Sequence, residues 1–249
     1  MILSNLVLPS RVNQRWKFSG MDHIDNCFDK HHFVSYPHEI TYHYNSRGFR
    51  DQEWPDSIQE LENAVWCIGD SFTVGLGSSV DRTWPGCLSK ITGHRVINVS
   101  MDGASNEWIS RTAEKIIQEI KPKYLAIMWS YTHRREHTDS SLNDEQRRRH
   151  SSKMEVELPD FTADWKNFLH CKEKIDSLTN SSVQFSIPAF HYDPKNVNTH
   201  TYVKNITTSV IQVDRLDIAR DGHHFDLITA EWVATRAADR LGLLTNSKN

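Results

Sequence analysis

The stretch Val65-Trp-Cys-Ile-Gly-Asp-Ser-Phe-Thr-Val-Gly75 begins as an unbroken apolar run and turns polar within three residues. A short apolar run closed by a glycine reads as a strand buried on both faces, as the strands of a parallel sheet are. Working outward from AVWCIG (64–69), four more runs share this character: RVINVSM (95–101), KYLAIMWS (123–130), SVQFSIPAF (182–190) and VIQVDRL (210–216). Helical periodicity fills the gaps. SNEWISRTAEKIIQEI sets Ile109, Ala113, Ile116, Ile117 and Ile120 on one face, and DWKNFLHCKEKIDSL does the same with Trp165, Phe168, Leu169 and Ile175. The segment FDLITAEWVATRAADRLGLL carries Ile228, Trp232 and Leu241. Strands alternating with amphipathic helices predict a doubly wound α/β architecture. Ligands in such folds sit beyond the carboxyl ends of the strands.

The chain has 249 residues, enough for one α/β domain with additions. Its 29 Lys+Arg against 32 Asp+Glu leave no global attraction to nucleic acid or to an anionic membrane. No run approaches the length of a membrane span. Cys27, Cys67, Cys87 and Cys171 form no paired spacing, and Cys67 falls inside the apolar run. Reduced thiols and a cytoplasmic location are therefore expected. Residues 1–62 lack helical period and read as an N-terminal extension packed on a main domain spanning 63–249. Within it, EITYHYNSRGFRD alternates around Ile40, Tyr42 and Tyr44 and then turns at Asn45-Ser-Arg-Gly48. The polar segment at about 133–160 reads as a long excursion over the strand ends.

Gly69-Asp70-Ser71 thus falls where chemistry is expected. Glycine permits the turn, and a serine there places its hydroxyl near helix-start N–H groups. An Asp-Ser helix cap is the plain alternative. Serine is a poor nucleophile until a base takes its proton, and the base needs an orienting group. The sequence offers both after its last strand, in Ala219-Arg-Asp221-Gly-His223-His224-Phe-Asp226. Asp221 and His224 stand three apart, so a tight turn brings the carboxylate against the imidazole. An aspartate cap followed by exposed histidines fits the same letters.

Ile68-Gly-Asp-Ser71 and Asp221-Gly-His-His224 resemble the first and last blocks of the SGNH (GDSL-type) hydrolases. Asn98-Val-Ser-Met-Asp-Gly103-Ala-Ser-Asn106 is similar to the block between them, and Asn45-Ser-Arg-Gly-Phe-Arg50 to a stretch preceding the domain in some relatives. The resemblance spans about residues 64–242. It implies a flavodoxin-like α/β/α sandwich of three layers and ester hydrolysis without a metal or other cofactor. Ser71 would then be the nucleophile, His224 the base and Asp221 its orienting carboxylate, with Ser71 and Gly103 giving oxyanion N–H groups. The family's Gly-x-Asn-Asp block is missing. The sequence reads Met128-Trp-Ser130-Tyr-Thr132-His133-Arg134 there. Thr132 takes the asparagine's position, with Ser130, His133 and Arg134 as alternative donors.

Asp70, Asn106, Trp129 and Arg134 are the expected substrate contacts, Trp129 as a cleft wall. His31, His32, His38 and His43 lie near Asp22, Asp25 and Asp29 in sequence, but no metal-binding framework accompanies them, and polar surface packing is expected. Arg147, Arg148 and Arg149 read as a solvated charged face. The expected activity is a serine esterase acting on an acyl ester, O-acetyl among the candidates, of a carbohydrate or small molecule. An acyltransferase and a non-catalytic binding module on the same fold are the alternatives.

Overall fold

The structure is a computed structural model describing residues 2–136, 141, 146, 161–187 and 209–244. Near its start, β1 (Arg15–Trp16) and β2 (Tyr42–His43) pair antiparallel, with α1 (Lys30–Ser35) between them. Ile40, Tyr42 and Tyr44 alternate inward, as a strand's period of two requires. The Asn45 side chain then closes the turn by accepting the N–H groups of Arg47 and Phe49, both at 3.0 Å. Helix α2 (Ile58–Asn63) leads into the main sheet.

That sheet holds β3 (Val65–Gly69), β4 (Val96–Ser100), β5 (Tyr124–Trp129), β6 (Ser182–Ser186) and β7 (Val210–Gln212). All neighbours are parallel, in the order β4-β3-β5-β6-β7. This is the flavodoxin-like order, and its reversal point falls beside β3. The strand read at 182–190 is described only to residue 187. The excursion at 133–160 lies outside the described residues from 137 onward, Ser141 and Gln146 excepted, and so do Arg147 to Arg149.

Alternation along the strands divides the core in two. Trp66, Ile68, Leu125, Ile127 and Trp129 face one layer, packed with α5 (Asn106–Glu119) and α6 (Phe161–Leu178) through Trp108, Ile109, Ile116, Phe168 and Ile175. Val65, Cys67, Ala126 and Met128 face the other, covered by α4 (Trp84–Thr92) and α7 (Leu227–Arg240). The result is a three-layer α/β/α sandwich. The buried stripe of α7 is Ala230, Val233, Ala234, Ala237 and Ala238, whereas Ile228 is exposed. Small side chains form the fully buried face of α7 against α4, and of the bulky residues that marked the helix in sequence Trp232 and Leu241 pack partly buried against the same core. Leu3, Leu6, Leu8 and Phe49 join the first layer's core. Among the described residues no helix is long and apolar enough to cross a membrane.

Gly69 ends β3 because nothing larger fits. A Cβ there would stand 2.1 Å from Thr73 Oγ1 and 2.9 Å from the Met128 carbonyl oxygen. Gly69→Ala is expected to destabilise the protein by roughly 2–3 kcal/mol, near the top of the overpacking range, because one obstacle is backbone. An unchanged urea midpoint would contradict this packing.

Candidate active site

The chain turns at Gly69 into α3 (Ser71–Val74), a single helical turn capped by Asp70, whose carboxylate accepts the Phe72 N–H at 3.1 Å. Ser71 is thereby fixed at the carboxyl end of β3. The far side of α3 is held by Arg50, which is fully buried and donates to the carbonyls of Val74 (3.0 Å), Gly75 (2.6 Å) and Ser78 (2.8 Å). Its guanidinium also lies 4.2 Å from the Tyr42 ring centroid. A buried cation is tolerated here because carbonyls at a helix end supply the opposing partial charge. This gives the sequence Asn45-Ser-Arg-Gly-Phe-Arg50 a physical role in clamping the segment that follows Ser71.

Ser71 Oγ lies 2.8 Å from His224 Nε2. His224 Nδ1 in turn bonds the Asp221 carboxylate through Oδ2. The other oxygen of Asp221 accepts the backbone N–H groups of His223 (2.9 Å) and His224 (3.0 Å), so the turn geometry itself aims the carboxylate. An ionised carboxylate only accepts, which puts the proton on Nδ1 and leaves the Nε2 lone pair facing the serine hydroxyl. All three side chains are buried. Burial disfavours the charge on Asp221, yet the imidazole and the two backbone N–H groups outweigh it and hold the carboxyl below the usual range. A hydroxyl, an imidazole and a carboxylate in this order can pass a proton from the serine to the imidazole.

His223 points away from this line. Its Nε2 lies 3.0 Å from the Tyr131 hydroxyl and its ring stacks on Phe28 at 5.2 Å. Phe28 is 55% exposed, so the N-terminal residues place an aromatic face next to the Asp221–His224 turn. Nothing in the sequence period marked Phe28 for that position.

The remaining predicted residues divide. Gly103 is buried with φ +70 in the loop after β4, and that loop runs beside β3, with the Met101 N–H on the Gly69 carbonyl at 3.2 Å. Thr132 is half-buried in the loop after β5. Arg134 stays near the serine, its Nη1 3.3 Å from Asp70 Oδ2 and its guanidinium 4.9 Å from the Tyr131 centroid. Asp70 and Asn106 hold this loop in place. The Asp70 carboxylate accepts the Ser130 hydroxyl at 2.7 Å. Asn106 accepts the Ser130 N–H at 2.9 Å and donates to the Tyr131 carbonyl at 3.1 Å. Burial pushes the Asp70 carboxyl up, opposed by Arg134 and Ser130. Trp129 is no cleft wall. It is wholly buried, donates to Gln184 Oε1 at 3.0 Å and meets Phe168 edge-on. Its outward neighbours in sequence are polar, but strand alternation turns its own ring into the core.

Among the described residues no group of three or more His, Cys, Asp or Glu is arranged to hold a metal ion. A cavity of about 520 Å³ lies along the edge strand, bounded by His43, Lys90, Arg95 and Asn98, and includes none of Ser71, Asp221 or His224.

No family model matches the sequence, and no curated protein matches it. The chain is similar in structure to solved hydrolases. TesA aligns at 14% identity and a TM-score of 0.47, over 74% of this chain and 100% of that one. A putative lipolytic protein of the G-D-S-L family from Desulfitobacterium hafniense aligns at 15% and 0.46, over 72% and 99%. A family two carbohydrate esterase from Clostridium thermocellum aligns at 11% and 0.49, over 78% and 68%.

Proposed function

We propose that the protein is a serine ester hydrolase of the SGNH type, with Ser71 as nucleophile, His224 as base and Asp221 as the orienting carboxylate. The observation that carries this reading is the 2.8 Å contact between Ser71 Oγ and His224 Nε2, with Asp221 behind the imidazole. In the first half-reaction Ser71 Oγ attacks the ester carbonyl carbon while its proton moves to His224 Nε2. The C–O bond to the alcohol then breaks, and the leaving oxygen takes that proton. Water repeats the sequence against the acyl-enzyme, giving the carboxylic acid and free Ser71. The backbone N–H groups of Ser71 and Gly103 are the proposed oxyanion donors, supported by the adjacency of the loops after β3 and β4. Thr132, where the family's asparagine would stand, is the proposed third donor. The proposed substrate is a carboxylic ester of a small molecule or a carbohydrate.

A fluorophosphonate probe tests the assignment, since only an activated serine forms the phosphonyl adduct. The expected result is a single modified peptide carrying Ser71, together with turnover of p-nitrophenyl acetate. A well-folded sample whose Ser71 stays unmodified would reject hydrolysis in favour of a binding role for the same fold.

A further inference from the structure

The turn that carries both Asp221 and His224 follows β7, which among the described residues is an edge strand of the sheet and only three residues long. The sheet therefore gives this turn little lateral support. The support comes from the other end of the chain. The Phe28 N–H donates to the Asp221 carbonyl at 2.9 Å, and His32 Nε2 lies 2.9 Å from the Ala219 carbonyl oxygen. Arg220, directly before Asp221, is gripped by Asp22 through Nε (2.7 Å) and Nη2 (2.5 Å), and its guanidinium lies 4.9 Å from the Phe33 centroid. Past His224, the Asp226 carboxylate accepts the Tyr36 hydroxyl at 2.6 Å, with Ser78 and Arg82 on the same group. Gly222, at φ +75, closes the fit. A Cβ there would stand 3.2 Å from the Asp29 nitrogen.

From this geometry we infer that residues 22–36 are a positioning strap for the acid–base turn, bracketing Asp221 and His224 on both sides. The inference rests on the proposed catalytic reading of those two residues. His32 and Tyr36 touch neither Ser71 nor the imidazole among their described hydrogen bonds; they act on the main chain and on Asp226. Asp22 acts through Arg220. The strap's effect is on kcat, because a misplaced base loses alignment with the serine while ester binding is left intact. Displacements of an ångström or less are enough for a large loss of rate.

The test compares wild type, His32→Ala/Tyr36→Phe and Val34→Ala, the last on the same helix with Val34 71% exposed. Thermal melts by circular dichroism establish folding, and each single substitution serves if the pair does not fold. Two readouts are taken. One is kcat and KM with p-nitrophenyl acetate. The other is the low-field proton resonance of the His224 Nδ1–H, assigned by its loss in His224→Gln. Expected for the double variant is a fall in kcat of about tenfold or more, KM within about twofold, and a broadened or lost resonance. Val34→Ala should match wild type in both. A folded double variant with wild-type kcat and an unaltered resonance would overturn the strap. An unreactive wild-type Ser71 would overturn the hydrolase reading alone, because the resonance still reports whether the turn is held.

Discussion

Ser71→Ala is expected to lower kcat for p-nitrophenyl acetate by roughly 10⁵-fold to 10⁶-fold, the loss typical when a serine nucleophile that works as a unit with its base is removed. Folding should survive. The helix cap at this point is the Asp70 carboxylate, not the serine side chain, and alanine is the best helix former. What the variant loses structurally is one hydrogen bond to His224 Nε2, leaving a buried acceptor unsatisfied at a cost of about 1–3 kcal/mol. A collapse of activity in a variant that still folds cooperatively, its denaturation midpoint lowered by no more than that cost, is thus the signature of a nucleophile. Equal turnover in Ser71→Ala would move the chemistry elsewhere.

Asp221→Asn should reduce kcat by about 10⁴-fold, as expected when the orienting carboxylate becomes an amide. The carboxamide can offer its NH₂ to Nδ1, which forces the proton onto Nε2 and turns the ring's donor toward the serine. The same substitution has a pH signature in stability. Asp221 is held below the usual carboxylate range in the folded protein despite its burial. A depressed carboxyl stabilises the fold fully above its unfolded value of about 3.9, and loses that contribution as pH falls through the lower folded value. The stability gap between wild type and Asp221→Asn should therefore be constant from neutral pH down to about 4 and narrow in stronger acid. Urea midpoints across that window would read it, and a gap that widens with acid would contradict the assignment.

The sheet was legible because its central strands are apolar on both faces, so Val65–Gly69 and Tyr124–Trp129 stand out as runs. The meeting of Ser71, Asp221 and His224 could be expected because strand ends and a three-residue spacing are local signals, and the three side chains do lie in contact. Trp129 misled, since a strand's last residue is next to the cleft in sequence while its side chain follows the pleat inward. Asn106 and Asp70, expected as substrate contacts, bond Ser130 and Tyr131 in the structure, partners that no sequence period points to. The pairings of Asp22 and Tyr36 were invisible. Each depends on a partner far along the chain, Arg220 lying 198 residues from Asp22, and such pairings leave no period in a sequence.

The Ser71–His224 contact joins residues 153 apart, and the Asp22–Arg220 pair spans most of the polypeptide. During synthesis, a nascent chain can complete its first strands long before either contact has its second half. On the proposed reading, the Ser71 hydroxyl gains its base only when the segment carrying His224 has been made and has docked. Such non-local closure is slow to form, and regain of probe reactivity after dilution from urea should track the last folding phase rather than the first.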